Sequence, residues 1–186
     1  RAYELLPTHL PSLALLIQTF EKRGDWNESI QYRQRRLEQT EDQLQRFEEW
    51  IEIGDIYQDQ LNQIPQSIQA YQEALQANES SKRVFGKLLP LYEQQEDWQS
   101  TINLLLHFAT IEPDPDTKAK FYFVIGSLQR DQLKDNLKAV RSFDKALDAQ
   151  PQMLKAFSAI EGLLNDERNF ERQDRYFRKM LKRAND

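Results

Sequence analysis

Residues 53–75, IGDIYQDQLNQIPQSIQAYQEAL, overlay residues 125–147, IGSLQRDQLKDNLKAVRSFDKAL, without a gap at an offset of 72. Seven of the 23 positions are identical, and Ile68 over Val140 and Tyr71 over Phe143 are conservative pairs. The same offset carries Asp25-Trp26 onto Asp97-Trp98 and then onto Asn169-Phe170, and Ala2 onto Ala74 and Ala146. Self-similarity at a fixed period is the mark of a repeat architecture. Within it, apolar residues recur three and four positions apart, which is helical spacing. The period of 72 therefore divides into two units of about 36, each a helix, a short turn and a second helix.

Trp50, Ile53, Gly54 and Tyr57 lie on one stripe of the first helix, and a glycine in that stripe lets the second helix approach closely. Ser67, Tyr71 and Ala74 return against it. This pattern resembles the tetratricopeptide repeat (TPR), whose first helix carries W-x2-L-G-x2-Y. Tyr122, Ile125, Gly126, Ala139, Phe143, Ala146 and Pro151 repeat it, with Gln129 where the family has Tyr. Weaker versions run through Leu13, Leu16, Phe20, Gly24 and Ser29, through Phe85, Leu88, Tyr92 and Pro113, and through Phe157, Ile160, Leu164, Phe177 and Met180.

The expectation is an all-α protein, an α-solenoid of about five TPR-like helix-turn-helix repeats wound as a right-handed superhelix. It forms a single array: a partial repeat at 1–9, then repeats 10–46, 47–81, 82–118, 119–153 and 154–186. A start in mid-repeat suggests a fragment of a longer array. The second and fourth units carry an extra residue in their turns, at Leu61–Pro65 and Leu133–Leu137, which should protrude. Pro90 falls inside a first helix, where its ring removes a hydrogen bond and should bend the chain near Gly86.

Composition narrows the function. The 186 residues include no Cys, which excludes disulfides and thiolate metal sites. Apolar runs such as Leu13–Ile17 and Leu104–Leu106 are far short of the roughly 20 residues that span a bilayer, so no membrane insertion is expected. A net charge of −5 argues against nucleic acid, which needs a basic excess to displace counterions. Residues 1–93 carry the imbalance, with 15 acidic and 10 basic side chains. His9 and His107 fall in unrelated places and no catalytic spacing occurs, so catalytic residues, cofactor and metal are all expected to be none. The basic tail from Glu167 to Asp186 intersperses its signs, as an end helix laced with salt bridges does. The sequons at Asn27 and Asn78 stand alone, and the expected location is cytoplasmic, although the abrupt start at Arg1 leaves room for a removed leader.

The family resemblance implies a non-enzymatic scaffold that binds a peptide or helix of a partner protein in the groove lined by first helices. The alternative is a regulatory or assembly segment of a larger enzyme or secretion machine. In the family frame the groove would present Glu48, Ile51, Asp55 and Asp59, then Glu93, Lys120, Phe123 and Arg130. Three acids beside an apolar residue suit a basic segment with an apolar anchor. The family's carboxylate clamp for chaperone tails is missing, because its positions hold Gln18, Asp55, Pro90, Ser127 and Gly162.

Overall fold

The turns show how the 72-residue period shapes the backbone. A computed structural model describes residues 9–166 and 170–185, and the expected partial repeat at the start, apart from His9, lies outside them. Among the described residues there are ten helices and no strand: α1 (Leu10–Arg23), α2 (Trp26–Glu38), α3 (Gln43–Asp55), α4 (Ile64–Ala77), α5 (Lys82–Gln94), α6 (Trp98–Ile111), α7 (Pro115–Asp131), α8 (Asn136–Ala149), α9 (Leu154–Asp166) and α10 (Phe170–Asn185). A π-helical turn, Ile56–Gln60, extends α3.

After α1 the chain turns through Gly24, at φ 78°, and Asp25 N–H donates to the Phe20 carbonyl. Seventy-two residues on, Glu96 takes φ 53° and Asp97 N–H donates to Tyr92. Glycine adopts this left-handed conformation without penalty, whereas Glu96 carries the cost of a Cβ. The second turn type repeats as well. Leu61 N–H reaches back five residues to Ile56 and Gln63 reaches Tyr57; Leu133 and Asp135 do the same to Leu128 and Gln129. Asn62 and Lys134 supply the positive φ in each. The extra residue of these units is thus taken up by a widened last turn of the first helix, before the loop where the sequence placed it.

Helix starts are fixed by side chains. Asp42, Asp97, Asp114 and Asp135 each accept a hydrogen bond from a backbone N–H of the helix they precede. Pro stands within the first two positions of α1, α4 and α7, where its missing N–H costs nothing. The Ser100 hydroxyl and N–H hold the Asp97 carboxyl below the usual carboxylate range, and Thr117 does the same for Asp114. Helix α5 runs from Lys82 to Gln94 through Pro90.

The chain divides into two compact units, residues 1–91 and 92–186. In the first, Ile30, Leu37, Ile53, Ile56 and Ala70 form a buried cluster flanked by Trp26, Trp50, Tyr57 and Leu61. In the second, Ala119, Val140, Phe143, Leu147, Ile160 and Leu164 are core, with Tyr122, Phe123, Tyr176 and Met180 packed against them. In each unit a glycine of a first helix stands against an aromatic ring of the second. A Cβ on Gly54 would lie 2.4 Å from the Tyr71 ring, and one on Gly126 would lie 2.6 Å from the Phe143 ring.

Gly54→Ala and Gly126→Ala are each expected to destabilise the protein by about 1–3 kcal/mol through overpacking. Gly86 and Gly162 have open space where a Cβ would sit. Alanine there should raise stability by about 0.5–1 kcal/mol, since it favours helix over glycine. Urea unfolding of the four variants, followed by circular dichroism, separates the two classes by sign.

Candidate functional site

Two of the acids expected to face a groove are held by cations of α5. Glu48 and Asp55 lie seven residues apart on one face of α3, and each meets a cation of α5: Arg83 at 2.7 Å and Lys87 at 2.7 Å. That face is therefore directed at the next helix. Ile51 sits between the two ion pairs and is fully buried. It is a core residue, which corrects its expected role as an exposed anchor. Asp55 also accepts from the Tyr71 hydroxyl. Burial first, and then donation to Asp55, push the Tyr71 phenol well above its ordinary range. Lys87 lies 5.4 Å over the same ring, closing a cluster in which Asp55 holds two neighbouring groups. Asp59, in the π-helical turn, is exposed.

A second charged cluster lies under α1. Arg33 is 7% exposed and belongs to the stripe of α2 that also buries Ser29, Ile30 and Leu37. Its guanidinium donates to Glu21 of α1 at 2.6 Å and to Glu49 of α3 at 2.8 Å, with Glu52 at 3.8 Å. Arg36 pairs with the other oxygen of Glu49, and the Ser29 hydroxyl donates to Glu21. Burial pulls the Arg33 pKa down, but the hydrogen bond to Glu21 and the charge of Glu49 outweigh it, so the group stays above its usual value. The signal for this cluster was in the sequence: a cation at core spacing, four residues after Ser29 and four before Leu37.

These ion pairs floor an open cleft between α1 and α3. Two adjoining depressions of about 460 and 430 Å³ share Ala14 and Arg36. The larger lies between Leu10 and Ala14 of α1 and Gln45, Glu48 and Glu49 of α3, with Arg36 at its base; the smaller is lined by Leu15 and Glu21 of α1 and by Arg33 and Arg36 of α2. Leu15 is 65% exposed. The charged lining is three acids to two cations, and both cations are engaged by those acids.

The second unit holds the remaining expected residues. Glu93 and Lys120 are exposed. Phe123 is half-buried with its ring 5.4 Å from Phe143, and Arg130 lies 5.8 Å over Phe143 while bonding the adjacent Asp131 at 2.8 and 2.9 Å. Gln129, in place of the family's Tyr, is buried and accepts from the Ser142 hydroxyl at 2.7 Å. His9 stands just before α1 with Nδ1 2.9 Å from the Ser12 hydroxyl, and His107 is half-buried beside Phe108. Among the described residues there is no cluster of metal-ligating side chains, and no helix is long and apolar enough to cross a membrane.

The sequence model of the tetratricopeptide repeat family matches residues 47–81 and 119–153. These segments are tetratricopeptide repeats. They hold the two glycine–ring contacts, Gly54 with Tyr71 and Gly126 with Phe143. Among solved structures, the chain is similar to MamA at 16% identity and TM-score 0.47, over 91% of this chain and 95% of that one. It is similar to a tetratricopeptide repeat protein from Parabacteroides merdae at 16% and 0.47, over 94% and 66%. It is also similar to YrrB, described as a TPR protein with an unusual peptide-binding site, at 16% and 0.46, over 86% and 78%. No curated protein matches the chain.

Replacing Arg33 with Met should cost about 3 kcal/mol, because Glu49 keeps only Arg36 and Glu21 loses its cation. The same change at Arg83, whose pair with Glu48 is half exposed, should cost less than about 1 kcal/mol. Asp55→Ala should lower stability by about 1–3 kcal/mol by leaving the Tyr71 hydroxyl without its carboxylate acceptor. Chemical denaturation of the three variants checks the order.

Proposed function

We propose that this chain is a non-enzymatic protein-interaction scaffold and that its first unit binds a segment of a partner protein in the cleft between α1 and α3. The observation that carries this reading is a pair of adjoining open depressions beside the exposed Leu10 and Leu15, over a floor already fixed by ion pairs. Tetratricopeptide repeats are protein-interaction modules, and a surface held rigid before binding loses little entropy when it is filled. The occupant is a basic segment with at least one bulky apolar side chain. The apolar group packs on Leu10, Ala14 and Leu15, while its cations compete with Arg83 for Glu48 and approach the exposed Glu52 near Arg33. Because exposed ion pairs contribute only about 0–1 kcal/mol each, the leucine wall supplies most of the affinity, while the acids set orientation and association rate.

Phe123, Lys120 and Arg130 belong in this proposal to a separate surface of the second unit, where Phe123 extends the Phe143 packing. Asp55 acts on stability through Tyr71 and Lys87, and Asp59 adds to the negative field at the end of α3.

The test uses synthetic helical peptides of three kinds: basic with one Leu or Phe, basic without it, and acidic with it. Only the first should bind in fluorescence anisotropy. Leu15→Asp should weaken it at least about tenfold, equivalent to ~1.4 kcal/mol. Glu48→Lys with Glu52→Lys should slow association at low salt and much less at high salt, where the Debye length shrinks. Equal binding of all three peptides, or binding that ignores Leu15 and follows Phe123→Ala, defeats the cleft assignment.

A further inference from the structure

One turn is built twice from different residues. The turns joining α3 to α4 and α7 to α8 share their hydrogen bonds and their left-handed residue at an offset of 72. Asn62 takes φ 52° in the first, where a short polar side chain tolerates that conformation, whereas Lys134 takes φ 55° in the second and carries the cost of its Cβ. Pro65, well suited to the start of α4, gives way to Leu137, which is 49% exposed. Along the helix that follows, Gln66, Gln69 and Glu73 of α4 become Lys138, Arg141 and Lys145 of α8. Like charges three and four residues apart on a helix repel each other. The fold requires none of these exchanges, since the first unit forms the same turn without them.

The exchanged residues share one open surface. Leu137, Lys138, Arg141 and Lys145 are all exposed and fall within about 100° of the helix circumference. Ala139, Val140, Phe143 and Leu147, on the rest of α8, are buried. Leu133, 37% exposed, and the exposed Lys134 precede them on the turn. Helix α8 packs on α7 before it and on α9 after it, so this face is not bared by an end of the chain. The acids around it are already held: Asp131 by Arg130, Asp135 by Lys138, and Asp144 and Asp148 by Lys179 and Arg183. Among the described residues no carboxylate pairs with Lys134, Arg141 or Lys145, and Lys145 lies 5.4 Å over the Tyr122 ring. Exposed leucines bordered by cations of this kind make a surface that adsorbs to anionic bilayers. We infer that the α7–α8 turn and the outer face of α8 dock on an anionic phospholipid surface, with Leu133 and Leu137 entering the headgroup layer and Lys134, Arg141 and Lys145 meeting its phosphates. This is adsorption, with no segment crossing the bilayer. A turn at the end of a helix pair projects, so a headgroup layer closes around its leucines where a folded partner would cover only one side. The inference is independent of the cleft in the first unit.

Co-sedimentation of the full chain with phosphatidylcholine vesicles, with and without phosphatidylserine, tests it. The bound fraction should be larger with phosphatidylserine and should fall as salt shortens the Debye length. Arg141→Gln with Lys145→Gln should weaken binding to the anionic vesicles at least about tenfold. Leu133→Ser with Leu137→Ser should weaken it as much while every charge stays in place. Arg175→Gln with Lys182→Gln removes two exposed cations of α10 instead and should leave binding unchanged. All the substituted side chains are exposed, and circular dichroism checks that each variant keeps its helicity. Equal binding to the two kinds of vesicle, no binding to either, or an α10 pair that matters as much as the α8 pair overturns the inference. Capture of an oligonucleotide or an acidic helical peptide through Arg141 and Lys145, in place of the anionic vesicles, overturns it as well and assigns the row to another polyanion. None of these outcomes bears on peptide binding through Leu15.

Discussion

Each tetratricopeptide repeat described here depends on a place where a first helix has no side chain. The Tyr71 ring lies so close to Gly54, and the Phe143 ring to Gly126, that no Cβ fits between. A fully buried aromatic ring contributes more apolar area than any other side chain in its helix, and the bare backbone opposite lets it be covered on both faces. The distance between paired helices follows from this contact. The two helix pairs also share their turn, with a widened last turn and a left-handed residue at Asn62 and at Lys134.

The period of 72 keeps shape while exchanging chemistry. Tyr71 has a hydroxyl to satisfy, and Asp55 accepts it and binds Lys87; the corresponding positions are Phe143, Ser127 and Ala159, which need no such arrangement. Arg130 lies over the Phe143 ring much as Lys87 lies over Tyr71, although it comes from a different position of the repeat. One packing solution thus accepts an ionic periphery in the first unit and an aromatic one in the second. Stability at equivalent positions need not respond alike to the same substitution.

The architecture was legible because backbone periodicity writes itself into apolar spacing. Gly54 and Gly126, Asp25-Trp26 and Asp97-Trp98, and the helix-starting prolines all mark features that the backbone shows at the matching places. The site was less legible, because helix position tells which way a residue points but not what stands there. Glu48, Ile51 and Asp55 do share a face, as their spacing requires, yet Arg83 and Lys87 of α5 face them, and so Ile51 is covered. Ion pairs between distant segments leave no periodic trace. Arg33 did leave one, as a cation on an apolar stripe, and its partners Glu21 and Glu49 come from two other helices.

That cation explains why a cleft exists. A buried ion pair is rarely more stabilising than apolar residues of the same volume, so Arg33, Glu21 and Glu49 are poorly accounted for as a source of stability. They differ from an apolar core in requiring defined geometry. A guanidinium that bonds carboxylates on two helices holds those helices at a separation set by its own length, whereas leucines would close until they touched. With Arg33 and Arg36 beneath them, the depressions along α1 stay open, and Leu10 and Leu15 beside them are exposed. A polar spacer of this kind holds the surface above it in one conformation.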